Sequence, residues 1–402
     1  MQDNDPPQDR VPLPDWLAQG APAAVLAALP GARVVGGAVR DLLAGRAVHD
    51  VDVAVPLPPE EAARLLRERG IKVFETGLAH GTVTAVLNHQ PVEVTSLRRD
   101  VMTDGRHAQV AWSTDWREDA ARRDFTINAL SMDASGALWD YFGGRGDLAA
   151  GHVRFVGDAA TRMAEDYLRV LRFFRFHARY GRGEPDADAM AAIRAAVPGL
   201  ARLSVERVWM ELKRLLQAPD PLEALRLMRD SGVLPATLPE AGELQPLHRL
   251  LEAGAPAEPV LRLAALLQPG TEAEPLARRL RFSTAEATRL RHLLDERLRP
   301  APELEGAGLR RWLAEAPAGD VPTELAWMAE AADGMDRQAL RHRIGETPRP
   351  VFPLQGRDAL AAGVPPGPAM GQALARTRAW WLEGGCEANA EACRKAMMTF
   401  IQ

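Results

Sequence analysis

Residues 34–55 constrain this chain more than any other stretch. They read VVGGAVRDLLAGRAVHDVDVAV: an apolar segment, the turn Gly36-Gly37, a short helical piece carrying Arg40 and Asp41, and a return through Asp50-Val51-Asp52 into a β-branched run. In an alternating strand, residues i and i+2 point to one face. Asp50 and Asp52 therefore lie side by side, with Val51 and Val53 turned the other way. Two adjacent carboxylates repel unless a cation sits between them. Hard oxygen ligands suit Mg²⁺, which also takes phosphate oxygens and water. The two glycines let the backbone approach phosphates closely. A lone DxD or Gly-Gly is usually a surface strand or a plain turn. The combination, a dozen residues apart in one β-helix-β unit, points to a metal-dependent site for a nucleoside triphosphate.

A chain of 402 residues exceeds the size of a single core, so two to four domains are expected. No apolar run approaches the length of a membrane span. The acidic, Pro-rich start, MQDNDPPQDRVPLPDW, has the marks of neither a signal peptide nor a transit peptide and reads as a flexible lead-in over residues 1–28. Cys386 and Cys393 are the only cysteines. Their spacing suits one helix face, where a disulfide is geometrically poor, so free thiols in a reducing cytoplasm are expected. The net charge of −5 argues against a general basic coat. Arginine is nevertheless concentrated locally, at 162, 169, 172, 175, 179 and 182 against only Glu165 and Asp166, which suits a polyanion.

Candidate strands are 33–35, 51–55, 72–75, 82–87 and 92–97, with a helix over 59–69 that Gly70 closes. After Gly151 the strand signal fades. Helices are expected over 158–181, 187–196, 204–217, 221–231, 245–253, 258–267, 274–281, 284–297, 307–315, 322–333, 336–344, 357–362 and 368–384, punctuated by Pro, Gly and Asp. The fold class is α+β: a mixed head over 29–150, then helical segments over 151–218, 219–300 and 301–402.

Further constellations flank the first. Glu93 is a candidate third carboxylate, able to ligate metal or to accept the proton of an attacking hydroxyl; a solvated Glu on a sheet face is the plainer alternative. Residues 98–116, centred on Asp104-Gly105-Arg106-His107, are too long and too charged for a simple turn and read as a mobile loop. Arg122 and Arg123 suit phosphate oxygens through their planar forks. They point to different sides, and taken in isolation a capped helix start with a salt-bridged face is the better account. Asp124 can accept from a ribose hydroxyl. Asp166 and Arg169 are i and i+3 on the expected helix and share a face. An intrahelical ion pair is the ordinary account. A carboxylate accepts and a guanidinium only donates, however, so the pair also matches a base edge with an amino group beside a ring nitrogen. Cytosine and adenine have that edge; uracil and guanine present the reverse.

These residues together resemble the class II tRNA nucleotidyltransferases, the CCA-adding enzymes, which share a polymerase-β-like head with bacterial poly(A) polymerases. GGAVRD with HDVDVAV, RRDFTINAL, EDYLRVLRFFRF and SVERVWMELKRLL occur in the family's order over residues 29–215. The resemblance implies a five-stranded head followed by helical neck, body and tail, with two Mg²⁺ ions on Asp50 and Asp52. It implies attack of a tRNA 3′-hydroxyl on the α-phosphate of CTP or ATP. It implies a nucleotide site of Gly36, Gly37, Arg40, Arg122, Arg123, Asp124, Asn128, Asp166, Arg169 and Arg172, in which Asp124 reads the 2′-hydroxyl and Asp166 with Arg169 reads the base. Asp104, Gly105, Arg106 and His107 match the flexible loop of full CCA-adders. The expected partners are tRNA, CTP and ATP, with neither DNA nor membrane, and the expected state is a monomer or weak dimer. An enzyme adding only A, a poly(A) polymerase, and an RNA-binding protein with an inactive head remain as alternatives.

Overall fold

A computed structural model describes residues 6–78, 81–103 and 108–401. Its strands are β1 (Asp9–Arg10), β2 (Arg33–Val35), β3 (Asp52–Val55), β4 (Lys72–Gly77), β5 (Thr82–Leu87), β6 (Gln90–Ser96), β7 (Arg98–Thr103), β8 (Ala108–Trp112), β9 (Leu130–Met132) and β10 (Ala137–Asp140). Eight of them form one sheet in the order β1-β10-β9-β2-β3-β6-β5-β4, and β7 with β8 makes a separate antiparallel ribbon. The sheet is larger than the five strands implied by family resemblance. The extra members β1, β9 and β10 span two to four residues, too short for alternation to show in sequence. The ribbon corrects the reading of 98–116 as one irregular loop. Residues 104–107 at its tip lie outside the described residues.

The pair β3/β6 is parallel and sets Asp52 opposite Glu93. Val34, Val53, Val55, Val92 and Val94 pack on one sheet face with residues of α2 (Gly20–Ala28) and α4 (Pro59–Glu68). Val35, Ala54, Leu97 and Trp116 cluster separately. Period-two alternation therefore puts Asp52 with Ala54, and Glu93 away from Val92 and Val94, on the face that α2 and α4 leave free. At the end of α4, Gly70 takes φ +73° and the Ile71 amide reaches back to the Leu66 carbonyl, the left-handed termination expected there.

The segment expected as a flexible lead-in is folded from residue 9 onward. β1 pairs with β10, α1 spans Asp15–Ala18, and Leu17, Ala21, Val25 and Leu26 are buried in the sheet's core. Its apolar residues lie among alanines and prolines, which hide their periodicity. The other helices before residue 238 are α3 (Gly37–Leu43), α5 (Trp116–Ala121), α6 (Gly144–Ala150), α7 (Ala159–Glu165), α8 (Leu168–Tyr180), α9 (Ala187–Ala196), α10 (Val205–Leu216), α11 (Leu222–Asp230) and α12 (Val233–Thr237). The expected single helix over 158–181 is thus two. Asp166 is extended at φ −155°, ψ 107°, and breaks the run. Phe125 from the head stacks among Phe155, Phe173 and Phe176, with ring centroids 4.8, 6.4 and 5.1 Å away, which fastens α8 to the head.

The chain divides into two compact units, Met1–Thr237 and Leu238–Gln402. The second unit is helical: α13 (Gln245–Glu252), α14 (Pro259–Leu266), α15 (Ala273–Arg279), α16 (Thr284–Leu294), α17 (Gly306–Glu315), α18 (Val321–Asp333), α19 (Gln338–Glu346), α20 (Gly356–Ala361), α21 (Pro368–Glu383) and α22 (Ala390–Ile401). The sequence reading missed α22. Cys386 follows α21 at φ +63° while Cys393 lies in α22, so the two do not share a helix face; both are free thiols. Among the described residues, no helix is long and apolar enough to cross a membrane.

Candidate nucleotide and metal site

A cavity of about 400 Å³ opens where α3, β3, the 123–128 segment and α8 converge; its walls include Gly36, Gly37, Arg40, Asp52, Arg123, Asp124, Asn128, Asp166, Arg169 and Arg172. Gly36 caps α3 at φ +65°, and a Cβ there would stand 2.8 Å from the Arg123 guanidinium. The backbone conformation calls for glycine at this turn, and a side chain there would also have to displace the Arg123 guanidinium.

Asp52 begins β3 and is exposed; Asp50 lies two residues before the strand and is exposed as well. The alternation argument thus applies to Asp52 but not to Asp50, which precedes the ladder and does not line the cavity. The three carboxylates still interact. Although the Asp52 side chain reaches solvent, partial desolvation by the protein around it, with Glu93 and Asp50, pushes its carboxyl up, and Arg123 partly opposes them. Among the described residues, no three His, Cys, Asp or Glu side chains form a ready-made metal cage. That fits Mg²⁺, which commonly takes one or two carboxylates and completes its shell with substrate phosphate and water. The donor chemistry is suitable: hard oxygens whose mutual repulsion a cation would relieve.

The two adjacent arginines separate as their order requires. Asp119, 2% exposed, holds Arg122 at 2.8 Å and Arg123 at 3.3 Å. Arg123 lines the cavity; Arg122 does not. Arg40 donates to the Asn128 side-chain oxygen at 2.5 Å and pairs with Asp41. Asp124 is buried and already engaged. It accepts from its neighbour's amide (Phe125) and from Asn128, both at 2.9 Å, and from Arg172 at 2.7 Å. Burial would raise its carboxyl, but Arg172 and these donors outweigh burial and hold it below the usual range. A depressed folded pKa stabilises the fold above the unfolded value, and that stabilisation is lost as pH falls through the folded pKa. Asp124→Ala is therefore expected to cost about 2 kcal/mol at neutral pH, discounted from the usual cost of breaking a buried pair because Arg172 is 31% exposed. Urea melts at pH 7 and below pH 4 check this: the gap between variant and wild type must shrink in acid.

Asp166 and Arg169 both face the cavity but form no ion pair with one another. Asp166 caps the start of α8 through the Leu168 amide at 3.0 Å, and its other oxygen takes Arg207 of α10 at 2.6 Å. Arg169 is held by Glu165 and by the Arg162 carbonyl. The shared-helix-face premise is therefore corrected, and so is the intrahelical-pair alternative. Leu168, Phe176 and Arg207 also line the cavity; they lie within EDYLRVLRFFRF and SVERVWMELKRLL but were not named as site residues. Phe176 was within reach of helical spacing, since 169, 172 and 176 follow i, i+3, i+7. Arg207 comes from another helix; SVERVWMELKRLL marks its stretch, but no local signal sends it to this cavity.

Residues 32–154 match the poly A polymerase head domain family, and residues 184–244 the family described as the probable RNA and SrmB-binding site of polymerase A. The head is that of a nucleotidyltransferase. The chain is 35% identical to CCA tRNA nucleotidyltransferase 1, mitochondrial, of Mus musculus over 88% of this chain and 83% of that one. It is 42% identical to the Danio rerio protein of the same name, over 63% of this chain and 60% of that one. The crystal structure of the Bacillus stearothermophilus CCA-adding enzyme in complex with CTP superposes with a TM-score of 0.78 at 29% identity, covering 94% of this chain and 97% of that one. This chain belongs to the CCA tRNA nucleotidyltransferase family.

Proposed function

We infer that this chain adds C, C and A in turn to tRNA 3′ ends from CTP and ATP, without a template, by attack of the terminal 3′-hydroxyl on the nucleotide α-phosphate and release of pyrophosphate. One observation carries the reading. A single cavity has the Asp52 carboxylate at the sheet end, the donor–acceptor couple Asp166 and Arg169 at the helical end, and Arg40, Arg123 and Arg172 among its walls. Asp50 and Asp52 would hold Mg²⁺, which when bound would lower the pKa of the attacking hydroxyl and neutralise triphosphate charge. Arg123 and Arg40 orient phosphate oxygens. Glu93, beside Asp52, is placed to accept the hydroxyl proton. Asp124, steadied by Asn128 and Arg172, accepts from the ribose 2′-hydroxyl. In Asp124→Ala, discrimination between CTP and dCTP is expected to fall; unchanged selectivity would remove Asp124 from that role.

The deciding assay gives the purified protein a tRNA ending at the discriminator base, with each nucleotide singly and with CTP plus ATP. Two C residues from CTP alone and a completed CCA from both are expected. Extension only of tRNA already ending in CC would identify an A-adding enzyme, and long A tails a poly(A) polymerase. Replacing Asp104-Gly105-Arg106-His107 with Gly/Ser is expected to leave CC addition and block the final A; normal A addition by that variant would reduce the segment to surface. A cytoplasmic location and a monomeric or weakly dimeric state belong to the same proposal, the former supported by the free thiols.

A further inference from the structure

A second cleft, of about 620 Å³, lies in the same unit at the opposite ends of the helices that frame the nucleotide cavity; its walls include Arg46, Arg145, Arg179, Tyr180 and Arg182. The N-terminal ends of α3 and α8 supply Gly37, Arg169 and Arg172 to the nucleotide cavity. Leu43 at the C-terminal end of α3 and Arg179 at that of α8 line the second cleft. Along α8, Arg172 and Arg179 are about 10 Å apart at 1.5 Å per residue. The two cavities differ in charge. The first sets Asp52, Asp124 and Asp166 against its arginines. The second has four guanidinium groups and no carboxylate in its walls. Of the four, only Arg145 has a carboxylate partner among the described residues, Asp9. Arg46 donates to the Arg179 carbonyl and lies over the Tyr180 ring, 4.9 Å from its centroid. Arg182 donates to the Ala149 carbonyl at 3.3 Å. Each of these contacts orients a guanidinium without cancelling its charge.

Guanidinium groups around a concave surface, three of the four without a carboxylate partner among the described residues, are suited to an anion with several oxygens. Their spread, in a chain of net charge −5, marks a local polyanion site. A nucleic-acid strand advances roughly 3 Å per nucleotide along its axis, so the ~10 Å from Arg172 on the wall of the nucleotide cavity to Arg179 corresponds to about three nucleotides. We propose that the Arg46–Arg145–Arg179–Arg182 cleft binds backbone phosphates of the tRNA a few nucleotides from its growing 3′ end, and so holds the primer while the nucleotide changes. The proposal rests on the tRNA reading above. Tyr180 joins the two regions: its hydroxyl donates to Asp41, which pairs with Arg40 on the wall of the nucleotide cavity.

The test uses the full chain, tRNA ending in CC, and ATP. Wild-type extension is measured first; its absence would overturn the underlying function and not this site. Arg179→Gln/Arg182→Gln is expected to raise KM for tRNA roughly tenfold at 0.1 M salt and to lower the slope of log KM against log salt by about two. KM for ATP, kcat and inhibition by added pyrophosphate should stay within twofold. Arg179→Lys/Arg182→Lys should recover most of the tRNA affinity, since a phosphate contact needs charge more than a fork, and it controls for misfolding. An unchanged tRNA KM and salt slope in the Gln variant would overturn the proposal. So would a rise in KM for ATP or in the inhibition constant of pyrophosphate, which would give the cleft to the triphosphate or its product. Failure of the Lys variant to recover would show that the positions act through the fold and overturn it as well.

Discussion

Asp52→Asn is expected to lose nucleotide addition by roughly 10³-fold or more, about 4 kcal/mol of activation free energy, while becoming more resistant to heat. The two halves have one cause. Asp52 begins β3 opposite Glu93 and near Asp50, and partial desolvation by the surrounding protein, together with these charges, pushes its carboxyl up although it reaches solvent. A raised folded pKa gives a stability contribution that is full below the unfolded value, about 3.9, and is lost as pH rises through the folded one. At neutral pH the wild type therefore carries a repulsive carboxylate group, and the amide removes part of it at the expense of the proposed metal ligand. Such an exchange between stability and activity is common at reacting sites. Added Mg²⁺ should raise the wild-type Tm through preferential binding to the folded state and leave that of the variant nearly unmoved. Asp50→Ala should act in the same direction on activity. Near-normal turnover of either variant in Mg²⁺ would remove the carboxylates from the metal role.

Asp166→Ala is expected to admit UTP and GTP, which the wild type should reject by roughly 10²- to 10⁴-fold. A wrong base leaves a buried donor or acceptor unpaired, at about 1–3 kcal/mol for each group, and two groups are mismatched at once. The structure sharpens the expectation. Asp166 is held from two sides, by the Leu168 amide and by Arg207, while Arg169 is held by Glu165. Both can therefore present fixed hydrogen-bonding atoms, as discrimination requires. Arg207→Ala should loosen Asp166 without removing it, so selectivity should fall by less than in Asp166→Ala. Arg169→Ala should raise KM for CTP and ATP with a milder loss of selectivity. Single-nucleotide incorporation with each of the four nucleotides reads all three variants. An active Asp166→Ala enzyme that still excludes UTP and GTP would leave Asp166 as a helix cap and a partner of Arg207 only.

Local chemistry determined much of this protein. The β2-turn-α3-β3 unit followed from Gly36-Gly37, β-branched residues and period two, because each of those signals acts within a few residues. The end of α4 at Gly70 and most helices after residue 151 followed from spacing and punctuation in the same way. Tertiary structure decided the rest. The parallel pairing of β3 with β6, which sets Glu93 beside Asp52, joins segments about 40 residues apart, and no local pattern specifies which strands become neighbours. The break at Asp166 was hidden because residues 158–181 keep helical spacing on both sides of it; Arg207 from α10 and the α8 amide together accommodate the extended residue. The alternation that placed Asp50 beside Asp52 assumed a strand where the ladder had not yet begun. The folding of residues 9–28 onto the head reflects apolar surface whose partners lie far along the chain. Sequence determines the elements and the types of group at the site; which of those groups meet depends on packing between elements, a free energy summed over distant residues that no local window contains.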